Sequence, residues 1–205
     1  MKNLLMVIAL VTAFAFGALA QATEPRVKVL STPEDATQKT VLLGRNFTGS
    51  MIVTLELEPA KSVWMQMDNP PKWRERTVRK GEIYHLDVKP VDPNSNAVIS
   101  YAEVRFNGVN RTNGKKVSGA LQPMWDSSGL HYAANSPLAG DGAYELIISV
   151  GMPTFGRVPQ YKDLWLKPDT AKFRFKLVSG KVTEVSEPLV EVQQRAESHA
   201  ELQQR

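Results

Sequence analysis

The sequence predicts an all-β protein, an antiparallel β-sandwich, on three observations. Apolar and polar residues alternate with period two over several short segments, helical periodicity is nearly absent, and residues that tolerate positive φ lie between the segments. Residues 52–58 put Val53, Leu55 and Leu57 on one face and Thr54, Glu56 and Glu58 on the other. Residues 83–89 set Tyr84, Leu86 and Val88 against His85, Asp87 and Lys89. The pattern returns over 98–106 with Val98, Ala102, Val104 and Phe106, and over 144–150 with Tyr144, Leu146, Ile148 and Val150. Over 172–177, Phe173, Phe175 and Leu177 face away from Lys172, Arg174 and Lys176. Each segment reads as a half-buried strand. Asn107-Gly108, Asn113-Gly114, Asp141-Gly142 and Ser179-Gly180 supply the tight connections that an antiparallel sandwich needs.

The ends of the chain read differently. Lys2, the apolar run Leu4 to Phe16 and Ala18-Leu19-Ala20 have the charge, apolar stretch and small residues of a secretory signal, with cleavage expected after Ala20. No later stretch approaches the roughly 20 apolar residues of a membrane span, so the mature protein is expected to be exported and not membrane-spanning. Residues 21–49 form a polar N-terminal extension and 50–180 the sandwich domain. Residues 181–205 form a polar tail rich in Glu, Gln, Ala and Arg, helical or frayed, which contains His199.

Composition excludes several chemistries. The chain has no cysteine, so disulfides, thiolate zinc sites, iron–sulfur clusters and cysteine nucleophiles are ruled out. Any metal must be held by His, Met, carboxylate or backbone oxygen. Without the signal, 24 basic residues face 21 acidic ones, and this net charge of +3 is too mild to argue for nucleic acid. The basic cluster Lys72, Arg74, Arg76, Arg79 and Lys80 reads as a solvated loop beside Pro70-Pro71. No Gly-x-Ser-x-Gly elbow accompanies the three histidines, and no phosphate loop or dinucleotide fingerprint is present, which argues against hydrolases and nucleotide enzymes. Asn46-Phe47-Thr48 and Asn110-Arg111-Thr112 match the glycosylation acceptor pattern and read as ordinary polar loops.

What remains is a set of soft and borderline ligands. His85 and Asp87 share one face of a strand, and Met124 and His131 bracket a short segment, 125–130, whose Asp, Ser and Gly suggest a tight loop. Thioether favours copper, imidazole suits copper and iron, and carboxylate suits ferrous iron, so such a set serves either metal. On spacing alone, surface histidines and a gap-filling core methionine are the favoured reading.

At these residues the chain resembles the periplasmic iron-transport proteins, a family of copper- and iron-binding immunoglobulin-like sandwiches. Leu121-Gln122-Pro123-Met124, Gly129-Leu130-His131-Tyr132-Ala133-Ala134-Asn135 and Gly142-Ala143-Tyr144-Glu145-Leu146 are similar to its central signature. Tyr84-His85-Leu86-Asp87 resembles its His-Leu-acid strand, and Phe155-Gly156-Arg157, Trp165-x-Lys167-Pro168 and Phe173-x-Phe175-Lys176 resemble its closing segment.

The resemblance implies a homodimer beside an inner-membrane iron permease in the periplasm, with copper or iron held by His85, Met124 and His131. It casts Asp87 as the hard oxygen for ferrous iron. Met65 or Met67 fits a further upstream Met. Val158 stands where the family has a fourth His, and Ser127 and Ser128 replace an acidic pair, leaving Asp126 one step earlier. The implied function is assistance to ferrous-iron uptake by a carrier, not a hydrolytic enzyme, with copper-assisted iron redox as its only catalytic role. Tyr132, Tyr144, Trp165, Phe173 and Phe175 are assigned to the core or a dimer face. A metal-free scaffold module and a copper-handling envelope protein are the alternatives.

Overall fold

The computed structural model describes residues 25–136 and 138–187; the signal segment 1–20 and the tail from 188 onward, with His199, lie outside these. The strands are β1 (Val27–Glu34), β2 (Val41–Phe47), β3 (Ile52–Pro59), β4 (Val63–Met67), β5 (Lys72–Arg76) and β6 (Tyr84–Val91). They continue with β7 (Val104–Asn110), β8 (Lys116–Asp126), β9 (Gly129–Ser136), β10 (Gly142–Val150), β11 (Asp169–Val178) and β12 (Lys181–Ser186). The only helical piece among the described residues is the single 3-10 turn Pro159–Tyr161. Ten strands pair in the order β1-β12-β11-β10-β7-β8-β9-β6-β3-β2, every pair antiparallel. The fold is an all-β, immunoglobulin-like antiparallel sandwich.

The two layers join through β8. Its first half, to Leu121, pairs with β7, and its second half, from Gln122, pairs with β9. Between the layers lies the core that alternation predicts: Phe173, Phe175 and Leu177 with Tyr144, Leu146 and Ile148 from one, Leu55, Leu57, Leu86, Val88 and Tyr132 from the other. Tyr144 stacks on Phe175 with ring centroids 4.9 Å apart. Trp165 is half-buried, edge-on to Phe155, and donates Nε1–H to the Ser50 carbonyl.

The sheet extends on both sides beyond 50–180. β1 and β2 come from the stretch read as an extension, and β12 from the start of the expected tail. β1 is largely exposed, so no apolar alternation marks it, and the register of β2 shifts between Leu42 and Gly44, which breaks the period of two. The strand expected over 98–106 begins only at Val104, because Ile99 is buried by a different device. Its amide bonds the Pro90 carbonyl, and its own carbonyl accepts from the Tyr132 hydroxyl. Asn107-Gly108, expected as a turn, lies inside β7, where Gly108 faces Leu146; a Cβ there would stand 2.4 Å from the Glu145 carbonyl.

Neither acceptor asparagine is a polar loop residue. Asn46 is buried in β2 and donates to the Lys172 carbonyl. Asn110 is fully buried: its amide donates to the carbonyls of Ala139 and Asp141, and its Oδ1 accepts from the amides of Thr112 and Asn113. Gly142 makes room for it, since a Cβ there would lie 2.3 Å from Asn110 Oδ1. The basic cluster begins on a separate two-stranded ribbon, β4–β5, not on a loop.

Candidate metal centre

The alternation of β6 aims Tyr84, Leu86 and Val88 into the sandwich and His85, Asp87 and Lys89 onto the outer face of the same sheet. That outer face is not open to solvent. His85 is 0% exposed and Asp87 4%, because strands flank β6 on both sides and further chain covers it. In register, Glu58 stands opposite His85 and Glu56 opposite Asp87 on β3. On the other side Asn135 stands opposite His85, and Ala133 opposite Asp87. Met124 and His131 are directly opposed across β8 and β9. The expected loop between them is a hairpin closed at Asp126 and Gly129, with Ser127-Ser128 at its tip. Asp126 shapes that tip by accepting from the amide and hydroxyl of Ser128.

All four predicted residues therefore share one face. His131 Nε2 lies 3.8 Å from Asp87 Oδ2, and His131 is 1% exposed. Met124 and His85 line a cleft of about 300 Å³ under the β4–β5 ribbon, together with Met65 and Arg76. Met65, one of the two upstream methionines, thus lines the cleft with Met124, whereas Met67 is half-exposed at the ribbon tip. Val158 is 54% exposed and carries no donor atom.

Hydrogen bonding fixes which ring nitrogens are free. The Asn135 amide donates to the Lys61 carbonyl, which assigns its oxygen to the other side; that oxygen accepts from His85 Nδ1–H at 2.7 Å. His131 Nδ1–H donates to the Gly129 carbonyl at 3.0 Å. With Nδ1–H donated in this way, the neutral form of either ring presents its Nε2 lone pair, the arrangement that outer hydrogen bonds impose on metal-ligating histidines. His85 Nε2, His131 Nε2 and Asp87 Oδ1 are buried and have no hydrogen-bond partner. Such atoms cost of order 1–3 kcal/mol each when left unpaired. Among the described residues, no three His, Asp or Glu side chains stand close enough to hold an ion as arranged. The donors are aimed but not closed.

Charge on this face follows from burial. Burial pushes His85 below its ordinary range. It pushes Asp87 up to about 6, against the pull of His131 and Lys89. Burial also works against the charge of Asp126, but the Ser128 hydrogen bonds and Lys61 outweigh it and hold that carboxyl well below the usual range.

The raised Asp87 value has a sign. Unfolded, the group titrates near 3.9, so its contribution to stability is complete below about pH 4 and is lost as pH rises through about 6. Asp87→Asn is expected to make the metal-free protein more stable than the parent at pH 7 by roughly 1–2 kcal/mol, with the advantage gone by pH 4. Urea unfolding of both proteins at the two pH values checks this, and a constant difference would refute it.

Glu58, Lys61 and Asn135 were not expected here. Thr54, Glu56 and Glu58 are legible as the polar face of a strand, but only the β3–β6 register shows that this face meets the histidines.

Residues 83–176 match the model of the Fe2+ transport protein family, which spans β6 to β11, including His85, Asp87, Met124 and His131. The family resemblance read from the sequence is thus confirmed over that segment.

Among solved structures, FetP of uropathogenic Escherichia coli strain F11 is 21% identical with a TM-score of 0.53, covering 68% of this chain and 97% of its own. Copper-reconstituted P19 of Campylobacter jejuni is 21% identical with a TM-score of 0.52, covering 71% and 99%. A copper-bound variant of P19 gives a TM-score of 0.55 at 21% identity, covering 70% and 98%. At these identities the likeness is one of fold. No curated protein matches the chain.

Proposed function

We propose that this chain is a periplasmic metal-binding protein that assists ferrous-iron uptake, holding copper or iron through His85, Asp87, Met124 and His131. The observation that carries the reading is that His85 Nε2, His131 Nε2 and Asp87 Oδ1 are all buried without hydrogen-bond partners on one sheet face. A bound cation would satisfy all three. Imidazole and carboxylate suit iron, and Met124 with Met65 adds the thioether that copper prefers. The protein acts as a carrier, a homodimer beside an inner-membrane permease. It has no hydrolytic chemistry, and a copper ion beside the iron would supply one-electron redox capacity. Among the described residues no helix is long and apolar enough to cross a membrane.

Calorimetric titration of the metal-stripped protein with cupric ion, and with ferrous ion without oxygen, tests the reading. Removing an outer-sphere partner alone costs roughly 10–100-fold in affinity, so His131→Ala is expected to lose more than that and Met124→Ala to weaken copper more than iron. Absence of binding by the parent would favour the metal-free scaffold. The abundance of thioether near His85 favours a second reading, copper handling without iron transport. Growth of a deletion strain on limiting iron against excess copper separates the two.

A further inference from the structure

The face that carries the histidines also carries a cation of its own. Lys61, in the connection between β3 and β4, sets its Nζ 2.6 Å from Glu58 Oε1 and 3.2 Å from Asp126 Oδ2. Each of those carboxylates reaches a histidine. Glu58 Oε1 is buried 3.9 Å from His85 Nε2, and Asp126 Oδ1 is 3.8 Å from His131 Nδ1. The ammonium therefore spans the pair of carboxylates that flank the two imidazoles.

Lys61 is not an incidental surface lysine. Its amide donates to Asn135 Oδ1, and its carbonyl accepts from Asn135 Nδ2. The same Asn135 oxygen holds His85 Nδ1–H. The side chain is 35% exposed, so four flexible methylenes connect a fixed backbone to a head that can leave for solvent.

We propose that Glu58 is a further oxygen donor of this site and that Lys61 is its resident counter-cation, displaced when a hard divalent ion enters. The inference rests on the metal-binding reading above. A divalent ion brings twice the charge of an ammonium to the same carboxylate, and its arrival frees Glu58 Oε1 beside His85 Nε2. Glu58 and Asp87 then contribute two carboxylates to two imidazoles; the pair of carboxylates neutralises Fe2+ or Mn2+ and has little to offer Cu+. Glu58 also adds a donor to a set to which Val158 contributes none.

The test is anaerobic titration of the full mature chain with Fe2+, Mn2+ and Cu+. Lys61→Met is expected to tighten Fe2+ and Mn2+ about tenfold or more, because nothing then competes for Glu58, while Lys61→Arg stays near the parent. Glu58→Gln is expected to weaken Fe2+ and Mn2+ by about tenfold or more and to leave Cu+ within about twofold. Binding by Lys61→Met where the parent binds weakly or not at all supports the proposal. Parent-like Fe2+ affinity in both Lys61→Met and Glu58→Gln overturns it and leaves the metal-binding reading standing. No binding by the parent or any variant overturns both. Lys61→Arg shows that an altered affinity reflects charge and reach, not a lost fold.

Discussion

Copper added at a hundred times its dissociation constant is expected to raise the melting temperature of the metal-free protein by roughly 5–11 °C, and His85→Ala/His131→Ala to show no such rise. The magnitude follows from linkage. A ligand at that concentration stabilises the native state by about 2.7 kcal/mol, and a domain of this size gains about 2–4 °C per kcal/mol. The two substitutions remove both free Nε2 atoms, so that of the four predicted ligands Asp87 and Met124 remain. Scanning calorimetry of each protein with and without copper reads the difference, so any change in the baseline stability of the variant cancels. A retained shift in the double variant would locate the binding elsewhere.

Asn110→Ala is expected to cost about 3 kcal/mol, lowering the melting temperature by roughly 6–12 °C without affecting metal affinity. The side chain is fully buried and bonds four backbone groups, two carbonyls and two amides, in the β7–β8 and β9–β10 connections. Alanine leaves those groups without the amide that joins the two connections. The proposed metal site lies elsewhere, on the outer face of β6, β8 and β9, so titration and melting should separate. A loss below about 1 kcal/mol would show that water replaces the amide. The same burial means that the Asn110-Arg111-Thr112 pattern is inaccessible once the domain has folded.

The strands legible in the sequence are those with one face on the core. Alternation over 52–58, 144–150 and 172–177 is enforced by Leu55, Leu146 and Phe173, each fully buried, with charged neighbours turned outward. β1 lacks that signal because most of it is exposed, and Val98 to Ala102 imitates it although the buried residue there is Ile99, on the opposite phase and outside any strand. The four ligand candidates were legible for a related reason. His85 and Asp87 are two apart on one strand, and Met124 and His131 are symmetric about a hairpin tip, both local facts. Glu58, Lys61 and Asn135 reach the site through pairings between strands remote in the chain, and no local pattern of residues encodes such a register.

The ribbon over the cleft differs from everything beneath it. β4 and β5 pair only with each other, whereas β6 and β9 are held on both sides. Two strands alone are marginal in water, and such units open with free energies far below that of the whole domain. Amide protons of Val63–Met67 and Lys72–Arg76 should therefore exchange with deuterium orders of magnitude faster than those of Tyr84–Val91. The cover over Met124 and His85 can come and go, taking Met65 with it, while the strands that aim the other donors stay shut.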